Sequence, residues 1–263
     1  MAPRAVETSR GPFMVAEAGP ADAPTMVFVA GLGDDHTSWD AVVPLLSARF
    51  RCVSFDNRGI GGSPVTQGPY TIAQLASDAE EVARALGLGR VIGVGSSMGS
   101  AICQEWAFAH PDRHAALVLT GTWAKTDLWL DLAFQQWVRV AMLDRGVALL
   151  GSILVSCMSP RFINANPDFV QEFERSEVPD LAGFTAAAAA CRSHDSRQRL
   201  ADVMAPCLVV SGADDILIRP ELNREVASLL PNSTFESMDT GHMPFWEAPK
   251  EFARLLTTWL EGL

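Results

Sequence analysis

The sequence predicts an α/β protein with a mostly parallel central sheet, flanked by helices and interrupted by one all-α insertion. Three observations point to it. Short, continuously apolar runs alternate with helical stretches over the first 120 residues. The alternation stops between residues 123 and 200, where no strand-like run occurs. It resumes at Pro206 and continues to the last helix. Parallel strands need crossover connections, and helices supply them. The expected division is a core of residues 1–122 and 201–263, with a helical segment, 123–200, between its halves.

In chain order, the residues before Pro24, Phe13 to Ala18 above all, suit an edge hairpin. Thr25–Gly31, Arg51–Asp56, Arg90–Gly95 and His114–Thr120 are short and unbroken in apolarity, as strands covered on both faces are. Between them, Ile72 to Leu86 carries a helical stripe of Ile72, Leu75, Ala76, Ala79, Val82, Ala83 and Leu86. Thr71 is placed to cap its start and Gly87 to stop it. Ser100 to His110 reads as a second helix, ended by Pro111. The segment from Trp123 to Leu200, with Trp129, Phe134, Trp137, Phe162, Phe169, Phe173, Phe184 and the run Ala186–Ala190, reads as several short helices. Pro206–Gly212 is the next strand, Pro220–Leu230 a helix, Ser233–Met238 a strand and Pro249–Leu260 the closing helix.

Composition removes several classes of function. In 263 residues, 20 Lys and Arg stand against 31 Asp and Glu, for a net charge of −11. No basic face for a phosphate backbone is expected, so nucleic acid is excluded as a partner. With 48% hydrophobic residues the chain has ample apolar material to bury and is not a disordered one. Its five cysteines are widely spaced within apolar stretches and form no Cys-x-x-Cys pair, which fits buried thiols in a reducing compartment and no zinc site. The longest apolar run, Val147 to Met158, falls short of the roughly 20 residues that span a bilayer. The N-terminus, Met1-Ala2-Pro3-Arg4, leads into polar sequence. A cytoplasmic protein without a membrane partner is expected; nothing in the sequence sets an oligomeric state.

The sharpest motif is Gly95-Ser96-Ser97-Met98-Gly99, which follows a strand and opens a helix. A nucleophile at such a turn stands exposed above the sheet, and its strained backbone needs small residues two positions to either side. Gly95 and Gly99 meet that need around Ser97, whereas Ser96 would have Val94 and Met98 there. The start of the helix also offers the Met98 N–H to a developing oxyanion. A dinucleotide site built on Gly93-Val-Gly95 would require glycine where Met98 stands.

A serine hydroxyl needs a base. His110 ends a helix, where a surface or capping part fits, and His114 begins a strand. His194 lies in Arg192–Ser196, which resembles a solvated helix end. His36 follows the first strong strand and is placed to line a pocket. His242, in Thr240–Pro244, sits between the last strand and the last helix, at the sheet edge where ligand chemistry gathers in open α/β sheets. Asp214 and Asp215 follow a strand at the same edge, and either can orient His242; capping the next turn is the competing role.

Together these motifs resemble the α/β-hydrolase superfamily over nearly the whole chain, and the resemblance implies the α/β-hydrolase fold. Ala30-Gly31-Leu32-Gly33 is similar to that family's oxyanion loop, with Ala30 in place of its usual histidine, and so implies the Leu32 N–H as a second oxyanion donor. Asp56 to Ser63 resembles a structural turn of the family, and Gly212 to Asp215 implies Asp215 as the acid. Residues 123–200 occupy the place of the helical cap. Serine rather than aspartate at position 97 argues for acyl chemistry on an ester, thioester or lactone. The expected catalytic set is thus Ser97, Asp215 and His242, with Leu32 and Met98 at the oxyanion. His36, Trp123, Phe134 and Trp137 are candidate pocket residues, with core packing of the cap the competing role for each aromatic. The expected partner is a small-molecule substrate, and neither metal nor organic cofactor is required. A C–C bond hydrolase, a cofactor-free perhydrolase, an acyltransferase or cyclase, and a ligand-binding protein with a retired site are the alternatives.

Overall fold

The computed structural model describes residues 3–143 and 146–263. Met1 and Ala2, where the N-terminal reading begins, lie outside them. Eight strands form one sheet: β1 (Arg4–Thr8), β2 (Gly11–Ala18), β3 (Thr25–Val29), β4 (Arg51–Phe55), β5 (Val91–Ser96), β6 (His114–Thr120), β7 (Cys207–Gly212) and β8 (Ser233–Met238). Their spatial order is β1-β2-β4-β3-β5-β6-β7-β8. β1 and β2 form the expected hairpin at one edge and pair antiparallel; every other neighbouring pair is parallel. β5 and β7 are buried at every position, which is why they read as unbroken apolar runs. β8 is the far edge, and its residues are half-buried or exposed, none buried.

Helices α1 (Val43–Leu46), α2 (Ile72–Ala85) and α3 (Met98–Ala109) belong to the first half of the chain. At α2 the Thr71 side chain accepts from the Gln74 N–H while the Gln74 side chain accepts from the Thr71 N–H, a reciprocal cap. Gly87 follows at φ +63°, where a β-carbon would be strained. Glu80 of α2 binds Trp106 Nε1 of α3 at 2.8 Å and the Arg113 guanidinium, tying the two packed helices together.

Between β6 and β7 lie α4 (Leu128–Ala141), α5 (Val147–Cys157), α6 (Pro160–Ala165), α7 (Pro167–Glu174) and α8 (Leu181–Arg192). Leu130, Phe134, Trp137 and Ala141 form the buried stripe of α4, which packs on α5 and α8. Gly183 of α8 lets this layer sit close on the core: a β-carbon there would meet the Gly59 carbonyl oxygen at 1.9 Å. α9 (Pro220–Leu229), α10 (Pro244–Glu247) and α11 (Pro249–Glu261) complete the chain, with α11 against α1. No helix among the described residues is long and apolar enough to cross a membrane.

One expectation is overturned here. His194 is not at a solvated helix end but buried, with Nε2 3.3 Å from Gln104 Oε1 and its ring edge-on to Trp123. Lys125 and Asp195 pair across the chain reversal, by an isolated bridge and an ion pair at 2.7 Å. Asp195 faces out and its neighbour is turned inward. Burial pushes the imidazole of His194 down to about 4.

Candidate active site

The loops at the C-terminal ends of β3, β5, β7 and β8 meet at one rim of the sheet, and each brings one element of the site. Ser97 stands between β5 and α3 at φ +54°, ψ −120°, the one non-glycine residue with positive φ among those described. Such a conformation costs on the order of 1–3 kcal/mol and persists only where its surroundings enforce it. They do so here through close backbone contact. A β-carbon on Gly95 would lie 2.4 Å from the Gly99 oxygen, and one on Gly99 would lie 1.9 Å from the Val29 oxygen. Both flanking glycines are therefore required by sterics, and α3 presses directly on β3.

His242 occupies the turn after β8. Its Nδ1 is 2.7 Å from Asp215 Oδ2, and both residues are buried. The other Asp215 oxygen accepts the N–H groups of Leu217 and Ile218 at 2.9 and 2.8 Å, which fixes the carboxylate plane. Asp214 points outward instead, with Arg161 at 3.9 Å. Gly212 and Gly241 let the two loops touch, since a β-carbon on Gly212 would fall 1.8 Å from the Gly241 oxygen. Gly121, at φ +56°, leaves the space for the ring: a β-carbon there would come 2.5 Å from His242 Cε1. The His242 N–H donates to the Cys157 carbonyl at 2.7 Å, and Glu247 binds Ser159 N, Ser159 Oγ and Gly241 N. The end of α5 is thereby clamped to the histidine loop.

The remaining ring nitrogen, His242 Nε2, is buried and has no hydrogen-bond partner among the described residues. It faces a cavity lined also by Ser97, Gly31, Leu32, Asp34, Trp137, Ile153, Cys157, Met158, Met243 and Trp246. The free space is about 20 Å³, about enough for one water molecule. Apolar side chains make most of the wall, and Trp246 is held in it by a 2.6 Å bond from Nε1 to the Ser38 carbonyl. Leu32 N–H and Met98 N–H have no protein acceptor among the described residues, and Met98 N–H is the first of its helix.

The structure thus brings together Ser97, Asp215, His242, Leu32, Met98 and Trp137. It does not bring His36, Trp123 or Phe134 to the cavity. His36 binds Asp56 Oδ1 through its backbone N–H and through Nδ1, at 2.8 and 2.6 Å, and so pins the loop after β3 to the loop after β4. Phe134 and Trp123 are fully buried behind Trp137, in a chain of ring contacts at 6.3 and 6.0 Å. Trp123 Nε1 is bound to Thr126 Oγ1. They back the wall rather than form it. Sequence reasoning missed Asp34 and Met243, whose signal is adjacency to Gly33 and His242, and Trp246, four residues after His242. It also missed Ile153, Cys157 and Met158, which no local pattern marks. Asp35, His36 and Asp56 bring possible ligand atoms within 4.8 Å of one another. Their oxygens already hold the backbone of His36, Thr37 and Gly62, so they read as a loop-fixing cluster.

Comparison with known proteins identifies the family and the fold. Residues 24–249 match the alpha/beta hydrolase fold family. The chain is 31% identical to the putative carbamate hydrolase RutD of Caulobacter sp. (strain K31), over 97% of both chains. It is 26% identical to 3-oxoadipate enol-lactonase 2 of Acinetobacter baylyi, over 89% of this chain and 87% of the relative. Among solved structures, the enol-lactonase from Burkholderia xenovorans LB400 superimposes with a TM-score of 0.91 at 25% identity, covering 98% of this chain and all of that one.

Proposed function

The chain belongs to the alpha/beta hydrolase fold family and is an enzyme acting on carbonyl substrates; from that premise we propose that it hydrolyses a carboxylic ester, thioester or lactone of a small, largely apolar molecule through an acyl-enzyme on Ser97. One observation carries the reading. His242 binds Asp215 through Nδ1 and keeps Nε2 buried, without a partner among the described residues and facing the cavity that Ser97 also lines. An orphaned buried nitrogen costs about 1–3 kcal/mol, and a proton acceptor for Ser97 Oγ is the use that explains retaining it.

In the reaction Ser97 Oγ attacks the carbonyl carbon as His242 Nε2 takes its proton. Asp215 holds the tautomer and stabilises the imidazolium. The Leu32 and Met98 N–H groups bind the oxyanion. His242 then protonates the leaving group, and water activated by the same nitrogen clears the acyl group. Relatives named for carbamate and enol-lactone hydrolysis support a carbonyl bearing a heteroatom leaving group. The Trp137, Ile153, Met158, Met243 and Trp246 wall supports an apolar substrate body, with residues 123–200 acting as its cap. The test is covalent: a fluorophosphonate probe should label Ser97, and Ser97→Ala should lose labelling and several orders of magnitude in kcat on p-nitrophenyl esters. Unchanged turnover in that variant removes Ser97 from the mechanism.

A further inference from the structure

Asp34 lies in the cavity but has no part in the hydrolysis described above. It follows the Gly31-Leu32-Gly33 turn and lines the same space as Ser97 and His242. It also lines the outer groove formed with Leu150, Phe173, Glu177 and Pro179, so it stands where the inner cavity meets the outside. Its Oδ2 and the Ser97 β-carbon lie 2.8 and 3.5 Å from the point a β-carbon on Gly31 would occupy, which sets the carboxyl beside the nucleophile. No hydrogen bond or ion pair engages this side chain among the described residues.

The titratable groups around it are Asp35 next in the loop, His242 with Asp215 behind it, the Cys157 thiol at the end of α5, and Glu177 in the outer groove. Burial first, then Asp35, push the Asp34 carboxyl up to about 7, while His242 pulls it down. A carboxyl with no protein donor, in a cavity with apolar walls, is strongly favoured to take a donor from whatever enters.

We propose that Asp34 is a substrate-binding residue: its carboxylate accepts a hydrogen bond from a hydroxyl, amide N–H or ammonium group within a few bonds of the scissile carbonyl. The enzyme therefore selects donor-bearing esters or lactones and rejects those carrying a carboxylate at that place. The proposal rests on the acyl-enzyme reading of Ser97.

The test uses the full chain at about pH 8, where the carboxyl is mostly ionised. Values of kcat/KM are measured by pH-stat for ethyl butyrate, ethyl 3-hydroxybutyrate, 2-hydroxyethyl butyrate and monoethyl succinate. Wild type should take one of the two hydroxyl esters about tenfold better than ethyl butyrate, and monoethyl succinate about tenfold worse, the scale of one charge-assisted contact. Asp34→Leu should bring both ratios close to one. Asp34→Asn keeps an acceptor oxygen without the charge, so it should relax the succinate ratio and keep part of the hydroxyl preference. Wild type without either preference, or ratios unmoved in both variants, overturns the proposal. Should Asp34→Leu fail to fold, the succinate ratio of Asp34→Asn decides alone. Fluorophosphonate labelling runs in parallel: intact labelling with unmoved ratios is failure of the Asp34 inference, whereas absent labelling in wild type is failure of the Ser97 reading.

Discussion

Asp215→Asn separates the orientation of His242 from the folding of its loop. Asp215 Oδ1 accepts two backbone N–H groups, from Leu217 and Ile218, and Oδ2 holds His242 Nδ1 at 2.7 Å. An amide in its place keeps one oxygen for the two backbone donors and turns its NH₂ toward the ring. Nδ1 must then accept, so the ring proton moves to Nε2, and Nε2 cannot take the Ser97 proton. The expected loss is about 10⁴-fold in kcat, or about 5.5 kcal/mol of barrier. Because the backbone bonds survive, Tm should fall by only a few degrees, about 1 kcal/mol for a chain of this size. Asp215→Ala instead leaves two buried N–H groups unpartnered, at about 1–3 kcal/mol each, and should lose stability as well as activity. Steady-state turnover of a p-nitrophenyl ester and thermal melting of the three proteins make the comparison. If Asp215→Asn melts like wild type and keeps more than about a tenth of its kcat, the tautomer argument fails and His242 is not the base.

Gly121→Ala would place a β-carbon 2.5 Å from His242 Cε1 and 2.8 Å from Nδ1, forcing the ring aside; kcat should drop about 100-fold, and wild-type turnover would count against the ring position. Glu247→Gln removes the charge from the clamp on Ser159 and Gly241, and should cost about 1–2 kcal/mol, read by melting and by faster amide exchange at those two residues. Acid stability follows from His114, which is buried and whose pKa that burial pushes down to about 4 from an unfolded 6.5. As pH falls the unfolded chain takes up this proton first. The stabilisation is therefore whole above 6.5 and lost progressively down to 4, about 3 kcal/mol in all. His114→Phe, which keeps the edge-on packing against Trp106, should melt higher than wild type relative to its own neutral-pH value when tested near pH 4.5; equal acid sensitivity would refute the assignment.

What was legible in the sequence follows from physical demands that are local. β5 and β7 could be read because a strand buried on both faces has no polar position. α2 could be read from its stripe and from Thr71 and Gly87 at its ends. Ser97 could be read because its backbone, with β3 pressed against Gly99, admits only glycine two residues to either side. The position of His242 followed from where β8 ends. The helical insertion was legible as helices and its aromatics as pocket or core candidates, whereas the buried stripe of Leu130, Phe134 and Trp137 emerges only in the structure. Which turn of that stripe reaches the cavity depends on how α4 settles against α5 and α8. Hence Trp137 lines the site, while Phe134 and Trp123 support it from behind.

The misreadings share one cause. A loop's place at the sheet edge is set by its own short stretch of chain, but the direction of each side chain in it is set by partners far away in sequence. His36 turns from the cavity because Asp56, twenty residues on, offers an oxygen to its ring and its backbone at once. His194 turns inward to Gln104, ninety residues earlier. Asp215 turns in because His242 and its own next loop both supply donors, while the neighbouring Asp214 is left to Arg161. Polar groups in this fold point to where a donor or acceptor waits, since a buried one left alone costs about as much as the site's own strain. By that rule a polar atom in the cavity without a protein partner is a candidate for the proposed chemistry. His242 Nε2 is such an atom among the described residues, marked in the sequence by its motif; the role proposed for the half-buried Asp34 carboxyl extends the rule to a side chain marked by nothing more than its neighbour Gly33.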